Sequence, residues 1–253
     1  MLVLLPPSET KRPGGAGAPL HPGSLALPEL DDARAAVVDA LVALSADPDA
    51  AAGVLSLGPR QLGEIAVNAA LRDAPTMAAI DRYTGVLFDA LDAPSLDARA
   101  RRWAGEHVLI HSAPFGPVGA LDQIPAYRLG AGASLPGLAP LRRHWSGAVT
   151  TALAAADPGF VIDLRSEAYV ALGPVPASVP SVFVRIVTDG TDGAVRALNH
   201  FNKHAKGALV RELATARPRV RSLSGLLTWL SARGHRVEES GADWLLFETP
   251  RGS

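Results

Sequence analysis

Hydrophobic and polar positions form two kinds of pattern along the chain, short continuous apolar runs and longer stretches with helical spacing. Four apolar runs bounded by turn residues predict buried strands, at residues 1–6, 107–112, 160–164 and 181–188. Residues 235–239 and 244–248, on either side of Gly241, predict a closing hairpin.

Apolar residues three and four positions apart predict helices between these strands. The predicted helices span residues 28–44, 59–71, 74–92, 97–103, 138–156, 192–216 and 223–233. Glycine- and proline-rich segments at residues 7–24 and 113–140 predict loops. Because strands and helices interleave, we expect an α/β fold with a central mixed sheet flanked by helices. We expect one domain over residues 1–253, with a helical subdomain at about 28–100 inserted after the first strand.

Composition excludes several classes of protein. The 253 residues are 48% hydrophobic and 19% charged, which excludes a disordered chain. No apolar run reaches about 18 residues, so no transmembrane helix and no membrane partner are predicted. The absence of cysteine excludes disulfides, thiolate metal sites and cysteine nucleophiles. The first residues lack the basic and small-residue features of a signal peptide, so a cytoplasmic location is expected.

Positive charge is supplied mainly by arginine, since the only lysines are Lys11, Lys203 and Lys206. The net charge of −1 counts against a dedicated nucleic-acid binder. Residues 201–222 are nevertheless strongly basic, with six Lys or Arg against one acid, Glu212. At helical spacing, Lys203, Lys206 and Arg211 share a face. That face either lines an anion-binding cleft or is simply solvated.

The polar loop Ser8-Glu9-Thr10-Lys11 directly follows the first predicted strand. Ligands in α/β folds bind beyond the carboxyl ends of strands, and two hydroxyls with an ammonium can hold a phosphate or carboxylate. The alternative is a turn in which the hydroxyls bond to their own backbone. The glycine and lysine spacing of a P-loop is missing.

Two further polar loops follow the second and third strands. Asp122, Tyr127 and Arg128 belong to the first of these loops, and Ser166 and Glu167 to the second. If the three strands are neighbours, the loops converge on one edge of the sheet. Such a set can perform acid–base chemistry on a polar ligand, or can form a polar network that satisfies itself. No catalytic residue is singled out, because no Ser-His-Asp order or nucleophile elbow is present.

Two short motifs also bear on function. The turn at 55–59 followed by a helix resembles the hairpin of a helix-hairpin-helix element, in which glycine lets backbone amides approach a DNA phosphate. Its candidate residues are Leu57, Gly58, Pro59 and Arg60, and a plain helix connection is the alternative. His200 and His204 have a metal-binding spacing but no evident third ligand, so no metal and no cofactor are predicted.

Several segments, in order along the chain, resemble the YaaA family, also called the peroxide stress or UPF0246 family. The matching segments are the opening Leu-Leu-Pro-Pro-Ser-Glu-Thr-Lys, Tyr83-Thr84-Gly85, Ser112 to Leu129, Trp145, Ile162 to Tyr169, and Lys203 to Gly207. The resemblance implies a single α/β domain and a cytoplasmic role in protection from hydrogen peroxide by limiting free iron. It also implies DNA binding through a positively charged cleft with a helix-hairpin-helix element.

The leading hypothesis is therefore a peroxide-stress protein that binds DNA through a cationic cleft. The alternative is an enzyme acting on a nucleotide, a nucleoside or another anionic small molecule in the same cleft, and a third option is a scaffold protein. An enclosed pocket would favour the enzyme and an open basic groove would favour DNA. The predicted cleft residues are Ser8, Thr10, Lys11, Tyr83, Ser112, Asp122, Tyr127, Arg128, Ser166, Glu167, Tyr169, Lys203, Lys206 and Arg211.

Overall fold

Strands and helices alternate along the part of the chain that the computed structural model describes, which is residues 1–21, 23–189, 195–196, 199–241 and 243–247. For residues 188–189, 195–196 and 199–201 only the backbone is described. The strands are β1 (Leu2–Leu5), β2 (Met77–Ala78), β3 (Val108–Ser112), β4 (Gly116–Gly119), β5 (Gln123–Ile124), β6 (Val161–Asp163), β7 (Ser181–Asp189), β8 (Val195–Arg196), β9 (Arg236–Ser240) and β10 (Asp243–Phe247).

The helices lie between these strands, as the apolar spacing predicts. They are α1 (Asp31–Leu44), α2 (Pro48–Val54), α3 (Gly63–Ala69), α4 (Ala79–Arg82), α5 (Val86–Leu91), α6 (Ala98–His107), α7 (Leu141–Ala155), α8 (Glu167–Ala171), α9 (Asn199–Ala216) and α10 (Leu223–Ala232). Single 3-10 turns occur at Pro28–Leu30, Pro59–Gln61 and Ala93–Ser95. Helices α1 to α6 all lie between β1 and β3, within the stretch where the inserted helical subdomain is expected.

The central sheet has the strand order β4-β3-β1-β6-β7-β10-β9, and the two-residue β8 pairs with β7. Strand β1 is parallel to β3 and β6, and the parallel pairing continues through β7 to β10. Strands β4 and β9 are antiparallel to their neighbours, so the sheet is mixed. The predicted α/β class with a central mixed sheet is confirmed. Buried parallel strands read as continuous apolar runs, which explains why β1, β3 and β6 were predicted correctly.

Three predictions along the chain are wrong in detail. The single helix predicted at 74–92 is two short helices, α4 and α5, separated by Tyr83-Thr84-Gly85. Gly85 has a φ of 93°, a conformation that breaks a helix and that glycine adopts without strain. The predicted loop at 113–140 contains β4 and β5, and the predicted loops elsewhere omitted α2 and α8.

The helix predicted at 192–216 begins at Asn199 as α9. Residues 192–194 and 197–198 of that prediction lie outside the described residues, as does residue 248 of the predicted closing hairpin. The hairpin itself is present as β9 and β10, paired from Asp243 with Ser240 to Phe247 with Arg236.

Two contacts fix the helices and loops near the carboxyl edge of the sheet. Helix α9 packs directly on α5, since a Cβ on Gly207 would lie 2.0 Å from the carbonyl oxygen of Leu87. The fully buried Arg82 donates hydrogen bonds to the carbonyls of Arg12 and Gly14, at 2.6 and 2.7 Å. Arg82 thereby holds the segment that follows Lys11 against α4.

Candidate functional site

The carboxyl ends of β1, β3 and β6 lie side by side at one edge of the sheet. From β1 the main sheet continues to β3 on one side, whereas from β6 it continues to β7 on the other side. Connections that diverge in this way leave a crevice between two neighbouring strands, here β1 and β6. The loops that start with Ser8, Ser112 and Ser166 therefore all begin at the same edge.

Lys11 is the cation closest to the centre of this edge, and its amine is enclosed by carbonyls and aromatic rings. Its Nζ donates hydrogen bonds to the carbonyls of Ser8, at 3.0 Å, and Glu9, at 3.3 Å. Nζ also lies 3.9 Å from the centre of the Tyr127 ring and 5.6 Å from that of Tyr83. Burial lowers the pKa of Lys11 to about 7, and the positive charge of Arg128 lowers it further.

The three tyrosines of the chain line this enclosure. The hydroxyls of Tyr83 and Tyr127 are 2.8 Å apart, and both side chains are buried. Burial raises the pKa of Tyr83, Tyr127 and Tyr169, so all three phenols stay protonated near neutral pH. Ser112 lies with them, because its hydrogen bonds lower the pKa of Tyr83 and Tyr127.

Arg128 is placed beside Lys11 by a buried asparagine that the sequence did not single out. The side chain of Asn68, on α3, accepts from the amide of Arg128 at 2.7 Å and donates to its carbonyl at 2.9 Å. The guanidinium of Arg128 lies 3.3 Å from the carboxylate of Glu9. The Glu9 side chain is 82% exposed, against 17% for Arg128, so this ion pair lies at the mouth of the site.

We call Lys11, Tyr83, Tyr127, Arg128 and Tyr169 the lysine site. Three hydroxyls lie at its rim: Thr10 Oγ1 is 3.2 Å from Ser8 Oγ and accepts from Thr84 Oγ1 at 3.0 Å. A Cβ on Gly85 would be 3.4 Å from both Ser8 Oγ and Thr10 Oγ1, so the absence of a side chain there lets the loops meet. The hydroxyl of Ser8 does bond to the backbone amide of Thr10, as the turn alternative expects.

A buried charged network lies beside the lysine site at the end of β6. Arg165 is fully buried and donates to both carboxylate oxygens of Asp163, at 2.9 and 2.6 Å. It also donates to His111 Nδ1 and to the carbonyl of Gly173, both at 2.8 Å. Since an arginine can only donate, His111 Nδ1 is the acceptor and Nε2 carries the proton.

The network reaches the lysine site through an aromatic contact. The rings of His111 and Tyr169 lie 5.8 Å apart, and His111 Nε2 is buried with no hydrogen-bond partner among the described residues. Burial, and then the charge of Arg165, lower the pKa of His111 well below its usual value, so the ring is neutral. Sequence reasoning missed Arg165 and His111, because arginine is seldom fully buried and nothing local marks this one.

Lys206 is joined to this network and not to solvent. Its Nζ donates to the carbonyl of Arg165 at 3.3 Å and lies 5.8 Å from the centre of the Phe183 ring. Burial lowers the pKa of Lys206 to about 8, although the charge of Asp163 opposes the shift.

The other predicted cleft residues do not all reach the lysine site. Asp122 accepts from the amides of Ala26 and Gly119, both at 2.7 Å. Because Gly119 pairs with Leu109, Asp122 lies toward the opposite, amino end of β3. Glu167, next to the α8 N-cap residue Ser166, is exposed and pairs with Arg185.

The basic face predicted for residues 201–222 is largely occupied within the protein. Arg211 donates to the carbonyls of Leu91 and Asp92 at the end of α5, both at 3.0 Å. Lys206 is buried, and Arg217 lies 3.9 Å from Asp97. Lys203, Arg219 and Arg221 remain exposed.

The helix-hairpin-helix candidate is a connection between two helices, α2 and α3. The amide of Leu57 donates to the carbonyl of Ala52, and that of Gly58 donates to the Gln61 side chain at 3.1 Å. Both amides that would meet a phosphate are therefore bonded internally. Arg60 is exposed at this turn.

No group of three potential metal ligands occurs among the described residues. His204 is exposed on α9, and the side chain of His200 lies outside the described part of the chain. None of the described helices is long and apolar enough to span a bilayer.

A cavity of about 130 Å³ lies on the other side of Tyr83. Its walls include Arg12 but also the carboxylates of Asp81, Asp89 and Asp92. Drug-sized ligands occupy about 300 Å³ or more, so this cavity is small for a whole ligand. Its carboxylates also make it a poor place for an anion.

The fold and the site define an α/β protein with a buried, lysine-centred polar site at the carboxyl edge of its sheet. The family model described as "Peroxide stress protein YaaA" matches residues 1–240. A UPF0246 protein of Corynebacterium efficiens is 47% identical over 229 residues, which is 89% of each chain. A UPF0246 protein of Streptomyces coelicolor is 42% identical and covers 97% of each chain, and one of Bordetella pertussis is 28% identical over 83% of this chain and 84% of its own. The chain belongs to the YaaA (UPF0246) peroxide stress family, as the sequence resemblance predicted.

Proposed function

We propose that this chain acts in the response to hydrogen peroxide by binding an anionic small molecule, such as a nucleotide or a nucleoside phosphate, at the lysine site. One observation carries the proposal. The Lys11 amine is mostly buried, yet no carboxylate among the described residues lies within ion-pair distance of it.

A buried ammonium without a counter-ion is unfavourable, and an anionic ligand would supply the missing negative charge. The nearest carboxylate arm, Glu9, is bound to Arg128 instead. Because Glu9 is largely exposed, its ion pair with Arg128 is weak and can open at little cost. A phosphate or carboxylate that replaced Glu9 would contact Arg128 and lie next to Lys11.

The site also suits proton transfer, which is why an enzyme is the favoured form of this function. A lysine with a pKa of about 7 is half neutral at physiological pH, so it can accept a proton from a ligand and return it. The tyrosine hydroxyls are protonated donors beside it. Geometry alone assigns no substrate, and the proposal extends only to the ligand's negative charge.

Calorimetric titration with AMP, ATP and pyrophosphate tests this proposal directly. We expect binding that is weakened at least tenfold by Lys11→Ala and by Arg128→Ala. Arg102→Ala is the matched control, since Arg102 is an exposed cation on α6. Binding that is absent, or equally weakened by all three substitutions, would contradict the proposal.

DNA binding is the second candidate, and one observation favours it. Lys203, Arg219 and Arg221 are exposed on α9 and in the segment after it. If they contact phosphates, the logarithm of the affinity falls with the logarithm of salt, and replacing all three by alanine lowers that slope by about three contacts. Fluorescence anisotropy with duplex and bubble DNA across a salt series measures this. A slope that the triple variant leaves unchanged would exclude this surface.

The cellular part of the proposal is a cytoplasmic role in limiting damage by free iron, which the family resemblance implies. A strain that lacks this gene should regain peroxide resistance, and a low level of free iron by electron paramagnetic resonance, when it carries the wild-type gene. We expect Lys11→Ala, expressed at the same level, to restore neither. Full rescue by that variant would separate the cellular role from the lysine site.

A further inference from the structure

We propose that Lys11 is a covalent site, whose amine forms an imine with an aldehyde or ketone group on an anionic ligand. This inference rests on the proposed anion binding and adds a chemical bond to it. It assigns the ligand two features, a carbonyl group for Lys11 and a negative charge for Arg128.

The step is balanced without any co-reactant. The lone pair of the neutral Lys11 amine attacks the carbonyl carbon, the C–N bond forms, and the carbonyl oxygen takes a proton from the nitrogen. The carbinolamine then loses its oxygen as water, which takes the second amine proton, while the nitrogen lone pair forms the C=N bond. An amine and a carbonyl compound give one imine and one water, and nothing is oxidised or reduced.

The surroundings of Lys11 favour the neutral amine that this step needs. Its hydrogen bonds go to two neutral carbonyls, from Ser8 and Glu9, and not to a carboxylate. The charges that face it from neighbouring elements are mixed, because Arg128 and Arg82 oppose the ammonium whereas Glu64 and Glu9 support it. Burial outweighs the supporting charges, so the pKa of Lys11 falls to about 7. Desolvated lysines of this kind are the ones that proteins use for Schiff bases.

The second half of the step needs a proton donor, and the site supplies one. The hydroxyls of Tyr83 and Tyr127 are hydrogen-bonded to each other and are protonated, and the Tyr127 ring lies directly beneath Lys11 Nζ. A protonated phenol pair can assist departure of the carbinolamine oxygen as water.

The other two lysines lack this combination. Lys203 is exposed on α9, and Lys206 is buried against Asp163 and Phe183, with its ammonium bonded to the carbonyl of Arg165. Lys203 therefore serves as an ordinary surface lysine within the same molecule, and Lys206 as a buried one without an adjacent mobile ion pair.

Reductive trapping of the full-length protein tests the proposal. The protein is incubated at pH 7 with glyoxylate, which carries an aldehyde and a carboxylate, and with cyanoborohydride, which reduces any imine to a stable amine. A parallel sample receives propanal, which has no charge. Peptide mass spectrometry then gives the labelling rate at each lysine and at the Met1 amino group.

We expect glyoxylate to label Lys11 at least tenfold faster than Lys203, with a rate that rises through a midpoint near pH 7. At pH 7 the neutral fraction of an amine of pKa about 7 exceeds that of an ordinary lysine by roughly 1000-fold, which leaves room for lower access to a buried site. The preference of Lys11 over Lys203 should be larger with glyoxylate than with propanal, because Arg128 binds the carboxylate.

Three results distinguish the two proposals. Equal labelling of Lys11 and Lys203 while AMP or pyrophosphate still binds would overturn the imine and leave anion binding intact. Fast labelling of Lys11 with no advantage of glyoxylate over propanal would overturn the anionic ligand assigned here. Equal labelling together with no anion binding in the calorimeter would overturn both.

Discussion

Replacing Arg165 by methionine tests whether the buried charged network holds the carboxyl edge of the sheet together. Methionine keeps most of the apolar stem but removes two hydrogen bonds to Asp163, one to His111 and one to the Gly173 carbonyl. The Asp163 side chain is only 6% exposed and would be left as a buried charge without its partner.

Removing one member of a buried ion pair costs about 3–5 kcal/mol of folding free energy. For a chain of this length each kcal/mol lowers the melting temperature by about 2–4 °C, so the expected decrease is roughly 6–20 °C. Differential scanning calorimetry, with urea unfolding as a second measure, gives both quantities.

Arg185→Met is the matched control. Arg185 also bonds to two carboxylates, those of Glu167 and Asp243, but its side chain is 46% exposed. Exposed ion pairs contribute about 0–1 kcal/mol, so this variant should lose no more than about 4 °C. Equal losses in the two variants would refute the reasoning that burial decides the cost. In the Arg165→Met background, Asp163→Leu should recover stability because it removes the orphaned charge.

Three further predictions concern single positions. The pKa of Lys11 is about 7 in the folded chain and about 10.4 when unfolded, so the unfolded chain binds more protons between these values and stability should rise with pH there; Lys11→Met should flatten that rise by up to about 1.4 kcal/mol per pH unit in urea unfolding at pH 7, 8 and 9, and parallel curves would contradict this. Gly207→Ala forces a Cβ against the Leu87 carbonyl and should cost about 1–3 kcal/mol, whereas Gly147→Ala, which meets nothing within 4 Å in α7, should stabilise by about 0.5–1 kcal/mol; thermal melts that show the same sign for both would be inconsistent with this packing. Ser222→Ala removes the hydroxyl that accepts from the Gly225 amide at the start of α10 and should cost about 1 kcal/mol by chemical denaturation, with no loss indicating that the cap is dispensable.

The strands were the most predictable part of the fold. Strands β1, β3 and β6 are buried on both faces, so their positions appear as uninterrupted apolar runs. The short strand β4 was missed because its sequence, Gly-Pro-Val-Gly, reads locally as a loop. It pairs only because β3 provides a partner, and no local property of the segment encodes that.

The lysine site was predicted in part. Lys11, Tyr127 and Arg128 were singled out by their residue types and positions, and they lie together. Asn68, which fixes Arg128, was missed because it acts from a helix about 60 residues away in sequence. Asp122 was misplaced because the turn after β4 carries it back along β3 toward the opposite end.

The cations show the same division between sequence and tertiary structure. The sequence counts six positive residues at 201–222 and predicts a common helix face. Packing of α9 on α5 decides that Arg211 bonds to the end of α5, and packing against β6 decides that Lys206 is buried. A count of charges cannot distinguish a cation that neutralises its own protein from one that meets a ligand.

The sequence by itself determined the α/β class, the positions of the main strands and the family, because buried strands and amphipathic helices leave periodic patterns in the order of residues. The tertiary structure alone decided which polar residues meet and which are withdrawn from water. The depressed pKa of Lys11 and the neutral His111 are examples, since desolvation and hydrogen bonding depend on groups that are distant in sequence.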